Sequence, residues 1–195
     1  MDNKINDQSK QQWGLFIEGS NDAYAWLYSH YVQHLYQFGC RFTDDSELVK
    51  DCIQDVFTQV YQYHKNLSLP KNVKVYFMSA LKNCLFNSFA RKHRFDVCLS
   101  TISSEEEYSF DLSVEESFIA DETLTLQEVA VSQILYNLSA RQREIIYYRF
   151  YEKLEYEDIC KLMDLNYQSA CNLIQRALTK LRIVLNNSTR SNTKV

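Results

Sequence analysis

The sequence predicts an all-α protein of two small helical domains joined by an acidic, flexible linker, and three observations carry that reading. Only three Gly and one Pro occur in 195 residues, too few for the tight turns of a hairpin-built fold. Apolar residues recur at three- and four-residue spacing in several stretches, and no stretch alternates long enough to suggest a sheet. Charge then divides the chain: residues 1–70 carry −4, residues 71–94 carry +6, residues 95–130 carry −10 and residues 131–195 carry +4.

In the first module we expect three main helices, Asp22 to Cys40, Ser46 to about His64 and Lys74 to about Arg94. The second has an apolar stripe of Val49, Cys52, Ile53, Val56, Phe57, Val60 and Tyr61. Asp51, Gln54, Asp55 and Gln59 fall on its other faces, where a solvated surface is the plain alternative to a partner surface. The third is basic without a single acid from Lys71 to Arg94, and aromatics are interleaved with Lys74, Lys82, Arg91, Lys92 and Arg94. Phe77, Leu81, Leu85 and Phe89 repeat every four residues and face inward, leaving Tyr76 and Asn83 near the basic side. Cations tracking a phosphate backbone beside a ring that can stack on a base are what single-stranded DNA binding needs. Pro70, in Asn66-Leu67-Ser68-Leu69-Pro70-Lys71-Asn72, marks a loop before this helix that could hold an unstacked nucleotide.

Residues 95–122 form the domain boundary, with Ser103-Ser104-Glu105-Glu106-Glu107 and Ser113-Val114-Glu115-Glu116-Ser117 as runs without sustained helical period. Like charges there repel and favour an extended linker. About 26 such residues reach at most ~85 Å, more than two turns of duplex at ~34 Å each.

After the linker, residues 123–195 read as a helix-turn-helix domain. Ser139 and Asn166 are placed to cap helix starts. Ile145, Ile146, Phe150, Ile159, Leu162 and Met163 supply a small core, and Leu165-Asn166 breaks the chain before a last helix. That helix keeps Ala170, Leu173, Ile174, Ala177, Leu178 and Leu181 inward. Gln168, Ser169, Cys171, Asn172, Gln175 and Arg176 point outward, with Lys180 further along. Asn, Gln and Arg can each make paired hydrogen bonds to base edges in a major groove.

The net charge of −4 does not exclude DNA, because the acidic middle lowers the total without removing the field of the basic faces. Cysteines at 40, 52, 84, 98, 160 and 171 share no CxxC spacing, and the His at 30, 34, 64 and 93 have no partners at metal-site intervals. No metal, cofactor or catalytic set is therefore expected. Reduced thiols packed as small core residues are expected instead, Cys171 excepted. No signal segment or membrane-length apolar run is present, so a cytoplasmic protein without membrane insertion is expected.

These parts in this order resemble the small extracytoplasmic-function group of the sigma-70 family. Ile53-Gln54-Asp55-Val56-Phe57 with Tyr61 is similar to that family's region 2.2 signature, and Val75-Tyr76-Phe77 to Leu81-Lys82-Asn83 to its WL…RN segment. Leu138-Ser139-Ala140-Arg141-Gln142-Arg143-Glu144 with Tyr156-Glu157-Asp158-Ile159 resembles its region 4 pattern. The resemblance implies a non-enzymatic subunit that binds core RNA polymerase, captures the −10 promoter element as single strand and reads the −35 element as duplex, with an anti-sigma factor as a further partner. It places Asp51, Gln54, Asp55 and Gln59 on the polymerase-facing surface. Leu67, Ser68, Lys71, Asn72, Lys74, Tyr76, Lys82, Asn83 and Arg91 would meet the −10 strand, and Gln168, Ser169, Cys171, Asn172, Gln175, Arg176 and Lys180 the −35 duplex. The linker's acids would occupy the enzyme's nucleic-acid channels until RNA displaces them. Three residues depart from the pattern: Tyr76 stands where Trp is common, Cys171 where Arg or Lys is frequent, and Cys160 where Ala is usual. The rival is a conventional helix-turn-helix regulator of duplex DNA whose first module senses or dimerises.

Overall fold

Short polar side chains set the helix starts of the first half. Ser20 Oγ accepts from the backbone N–H of Ala23 at 3.3 Å, Asp45 Oδ1 from Leu48 at 3.1 Å and Asn72 Oδ1 from Val75 at 3.3 Å, each meeting a donor that the first helical turn leaves unpaired. In the computed structural model, which describes residues 2–96, 109–112 and 137–191, these caps open α2 (Asn21–Gly39), α3 (Ser46–Gln62) and α4 (Val73–Asp96). A further helix, α1 (Asp2–Ile17), precedes them and adds a fourth to the three expected. Its inward face carries Ser9 beside Trp13 and Phe16, so its first half lacks the apolar repeat by which such a helix is recognised.

The chain divides into two compact units, within residues 1–107 and 108–195. In the first, Ala23, Leu27, Tyr31, Leu35 and Phe38 of α2 meet Val49, Cys52, Ile53, Val56, Phe57 and Val60 of α3. Val73, Phe77, Met78, Leu81 and Leu85 of α4 complete the core. Its centre is aromatic: Phe57 stacks on Phe77 at 4.8 Å, and Tyr31 and Trp13 approach Phe77 at 5.2 and 5.6 Å. Two polar ties bring α1 into this cluster, Tyr31 Oη donating to Ser9 Oγ at 2.6 Å and Trp13 Nε1 donating to the carbonyl of Ser68 at 3.2 Å. Gly39 sits where a Cβ would meet Val49 Cγ1 at 2.5 Å, so α2 and α3 approach closely only because this residue has no side chain.

In the second unit Ser139 opens α5 (Ala140–Ile146) through a reciprocal capping box, Gln142 N–H donating to Ser139 Oγ at 3.4 Å and Ser139 N–H to Gln142 Oε1 at 3.1 Å. The helix then widens into a π-helical turn, Tyr147–Tyr151. Here Tyr148 Oη donates to Glu144 Oε1 at 2.7 Å and Tyr147 Oη donates to the Glu152 carboxylate, so both buried carboxylates have a hydroxyl partner. Burial, and then the neighbouring Glu144, push the Tyr148 hydroxyl well above the ordinary tyrosine range.

The helices α6 (Tyr156–Met163) and α7 (Tyr167–Ser191) follow. Asp164 joins them in the left-handed region at φ 49°, and Asn166 Oδ1 caps α7 by accepting from Ser169 N–H at 2.8 Å. Leu162, Met163, Ala170, Ile174 and Ala177 close the core over Ile145 and Ile159.

Some expected core positions are not core. Phe150 is 54% exposed, because the π-helical turn rotates it out of the register an α-helix would give, and Leu178 is 40% exposed. Ile146, Leu173 and Leu181 are only partly covered. The segment 109–112, from the stretch read as linker, packs in the second unit through Phe110, which has no exposed surface. The rest of the acidic stretch after Asp96, with Cys98, and residues 123–136 of the second domain lie outside the described residues. Among the described residues no strand occurs and no helix is long and apolar enough to cross a membrane.

Candidate nucleic-acid interface

Packing of α3 against α4 leaves a cleft of about 350 Å³ on one side of the first unit. Asp55, Gln59 and Tyr63 line its α3 wall, Tyr76, Asn83, Cys84, Asn87 and Arg91 its α4 wall, and Leu67 its end. The α4 residues fall at successive turns beside the stripe that α4 buries, Phe77, Leu81 and Leu85. Tyr76 is half-buried, its ring edge-on to Trp13 at 4.9 Å and to Phe77 at 5.8 Å, and burial raises its hydroxyl pKa. A ring held from behind by two others loses little freedom when a base stacks on it. Asn83 is exposed and can reach a base edge. Arg91 donates through Nε to the carbonyl of Asn87 at 3.3 Å, which steadies a positive group at the cleft's far end.

The predicted −10 residues therefore separate. Leu67, Tyr76, Asn83 and Arg91 come together in the cleft. Asn72 is spent on capping α4, and the carbonyl of Ser68 is held by Trp13. The ammonium of Lys82 lies over the rings of Phe42 and Phe86 at 5.8 and 5.5 Å, a cation–π seat, and Lys71, Lys74 and Lys82 do not line the cleft. On α3, Asp51, Gln54, Asp55 and Gln59 are all exposed on one face, but only Asp55 and Gln59 border the cleft. A polymerase-facing surface and a strand-binding cleft would thus share an edge there. Cys84, deep in the cleft wall, has its thiol pushed up to about 12, chiefly by burial and then by the Cys52 thiol beside it, so it stays protonated and inert at neutral pH.

On the second unit, Asn172, Gln175, Arg176, Thr179, Lys180 and Ile183 line an open depression of about 600 Å³ along α7. Arg176 Nε donates to the carbonyl of Asn172 at 3.3 Å and Gln168 Nε2 donates to Asn172 Oδ1 at 3.2 Å, so the polar side chains of successive turns brace one another. No acid follows Asp164 in the sequence, and α7 presents positive charge to its solvent face through Arg176, Lys180 and Arg182. A single helix with amide and guanidinium groups toward solvent, held by a second helix through a tight turn, is the geometry that enters a major groove.

Residues 128–181 match the family profile described as "Sigma-70, region 4". This segment is similar to sigma-70 region 4. The matched segment includes α5, the π-helical turn, α6 and all but Ile183 of the α7 residues that line the depression. In fold the chain is similar to CnrH, solved in complex with the cytosolic domain of CnrY, with a TM-score of 0.56 and 15% identity over 92% of this chain and 97% of that one. It is also similar to the sigma factor RpoE solved in complex with the anti-sigma factor NepR from Bartonella quintana, with a TM-score of 0.54 and 17% identity over 82% of this chain and 94% of that one. No curated protein matches the sequence.

Within the segment similar to sigma-70 region 4, Gln168, Asn172, Gln175, Arg176 and Lys180 are exposed as expected. Ser169 is half-covered, its backbone N–H held by Asn166. Cys171 is half-buried and its side chain hydrogen-bonds with Tyr167 one turn earlier, which draws it back from the groove-facing edge. Tyr63, Asn87 and Trp13 escaped the sequence reading. Tyr63 and Asn87 lie one turn beyond recognised positions, at i+4 from Gln59 and Asn83, and that spacing could have found them. Trp13 belongs to the unforeseen α1, and nothing local marks it as the support of Tyr76.

Proposed function

We propose that this chain is a sigma factor of the sigma-70 family, of the extracytoplasmic-function type, a cytoplasmic subunit that joins core RNA polymerase and selects promoters without performing covalent chemistry. The observation that carries the reading is the region 4 match over residues 128–181, borne by a helix whose exposed face is Asn172, Gln175, Arg176 and Lys180. We assign residues 1–94 to polymerase binding and −10 capture, 95–122 to the acidic linker and 123–195 to −35 reading.

In this mechanism α7 lies in the major groove, with Arg176 suited to guanine and Asn172 and Gln175 to adenine. The −10 strand follows the α3–α4 cleft, one base leaving the stack to lie against Tyr76 with Asn83 at its edge and Leu67 behind it, while Arg91 meets phosphate. Asp51 and Gln54, exposed and outside the cleft, remain free for the polymerase, and Asp55 and Gln59 serve the shared edge. Because the solved relatives CnrH and RpoE are held by CnrY and by the anti-sigma factor NepR, a protein that masks these surfaces is the expected regulator.

The test is co-purification with core RNA polymerase followed by band-shift on promoter fragments. The sigma reading expects a stable complex and specific DNA binding only with polymerase present. A free chain that binds duplex tightly and ignores polymerase would favour a conventional helix-turn-helix regulator.

A further inference from the structure

The loop at the end of the α3–α4 cleft is gripped from behind by a helix that does not line the cleft. Trp13 of α1 has no exposed surface. Its Nε1–H donates to the carbonyl of Ser68 at 3.2 Å, next in the chain to Leu67, which closes the end of the cleft. The same indole meets the ring of Tyr76 edge-on at 4.9 Å and that of Phe77 at 5.6 Å. One turn further along α1, Phe16 packs against His64 at 5.5 Å, and His64 begins the short helical turn His64–Asn66 that leads into Leu67. The helix α1 thus holds the loop at its start and at its middle, while the side chains of Ser68 and Leu69 remain exposed.

We propose that Trp13 is a positioning residue for strand capture, fixing Leu67 and Tyr76 relative to one another so that the place where an extruded base lies is set before the base arrives. The proposal deepens the sigma-factor reading given above and rests on it. Leu67 and Tyr76 belong to different elements, a loop and the first turn of α4, and Trp13 is the rigid group that touches both sides. Its N–H bond fixes the loop backbone, and its edge-on contact fixes the plane of the Tyr76 ring. A loop already ordered by the fold is not ordered at the expense of binding, which is where the gain from preorganisation lies. Ser68 is exposed, so water takes over its carbonyl when the indole N–H is lost. Losing the bond therefore frees the loop rather than leaving a buried orphan in the core. In this way α1 governs opening of the DNA although none of its residues lines the cleft.

The experiment is transcription initiation by the full chain with core polymerase on a duplex promoter, with holoenzyme concentration varied so that closed-complex affinity and opening rate are read apart. Trp13→Phe keeps an aromatic ring in the core and removes the N–H. It lowers the opening rate roughly two- to tenfold, the range for one neutral hydrogen bond, and leaves closed-complex affinity unchanged. A template pre-melted at the −10 element restores most of the activity. Benzothienylalanine at position 13, which keeps the two-ring shape and carries sulfur in place of the N–H, gives the same slowing with the packing intact, and it decides alone if Trp13→Phe fails to fold. Ser9→Ala removes the other polar tie of α1, the bond from Tyr31 Oη at 2.6 Å, at a point away from the loop. It lowers the melting temperature and leaves the opening rate at the parent value. Amide hydrogen exchange over residues 64–72 speeds up in the two position-13 variants and not in Ser9→Ala. An opening rate equal to the parent's with the sulfur analogue would overturn the positioning role, as would equal slowing by Ser9→Ala, since opening would then follow stability alone. A parent chain that gives no promoter-dependent transcription with core polymerase would overturn the sigma reading instead, a result seen before any substitution is made.

Discussion

Tyr76→Ala removes the ring that sits between the core of the first unit and the cleft, and its two consequences differ in size and in assay. The ring makes edge-on contacts with Trp13 at 4.9 Å and Phe77 at 5.8 Å. Each such pair is worth ~0.5–1.5 kcal/mol, so the substitution costs ~1–3 kcal/mol of folding free energy from this source. Against the ~5–15 kcal/mol of a typical domain the unit survives, with its melting temperature lowered by roughly 5–20 °C. Stacking on an extruded base stabilises it by ~1–3 kcal/mol, so open complex on a duplex promoter falls about 5- to 150-fold. Polymerase binding and closed complex persist below the melting transition. Permanganate footprinting of the −10 region measures opening, and a template with a pre-melted bubble there restores most of the activity. Tyr76→Phe, which keeps the ring, separates stacking from the hydroxyl and is expected to open nearly as well as the parent. If Tyr76→Ala is equally defective on duplex and bubble templates, Tyr76 acts through folding and the melting role is wrong.

Arg176→Ala, and to a smaller degree Gln175→Ala and Asn172→Ala, relax −35 discrimination by ~1–3 kcal/mol per lost paired contact, read as holoenzyme affinity across a panel of single-base −35 variants. A uniform loss on all variants would make them phosphate contacts. Replacing Gln54 and Asp55 together by Ala and Lys weakens holoenzyme assembly in size-exclusion chromatography while the circular dichroism spectrum stays helical, since both residues are exposed on α3; normal assembly would return them to plain solvated surface. Cys84 resists iodoacetamide at pH 8, because a thiol held near a pKa of about 12 carries about a thousandth of the thiolate of one near 9. The same shift makes the cleft wall less stable as pH rises from about 9 toward 12, where the unfolded thiol ionises and the folded one does not. Labelling of Cys84 in the native chain as fast as in urea would contradict this.

Much of this architecture was legible because helices announce themselves by period and cap. The α3 stripe from Val49 to Val60 and the Ser139 and Asn166 caps lie where the sequence puts them. The helix α1 was hidden because its buried face includes Ser9, whose hydroxyl is satisfied by Tyr31 across the core, and a local pattern cannot display a long-range partner. Phe150 was misplaced because a π-helical turn breaks the 3.6-residue register on which the inward assignment depends. At the candidate site, residue types were readable but their sharing was not. Lys82 looks like a phosphate ligand in sequence, yet the rings of Phe42 and Phe86 hold it, and Asn72 is consumed as a cap. Phe110 was one scattered apolar residue in an acidic run until Arg143 and the two tyrosines gave it a seat.

The central claim is that promoter choice arises only when this chain and core polymerase act together, and reconstituted run-off transcription tests it most directly. Core enzyme mixed with the purified chain is run on fragments selected by sequencing the DNA that the mixture binds. The account predicts discrete start sites that appear only with both components present, while the free chain, with a net charge of −4, binds the same fragments weakly at physiological salt. Tight sequence-specific binding by the free chain, with no start sites added to those of core enzyme alone, would contradict it.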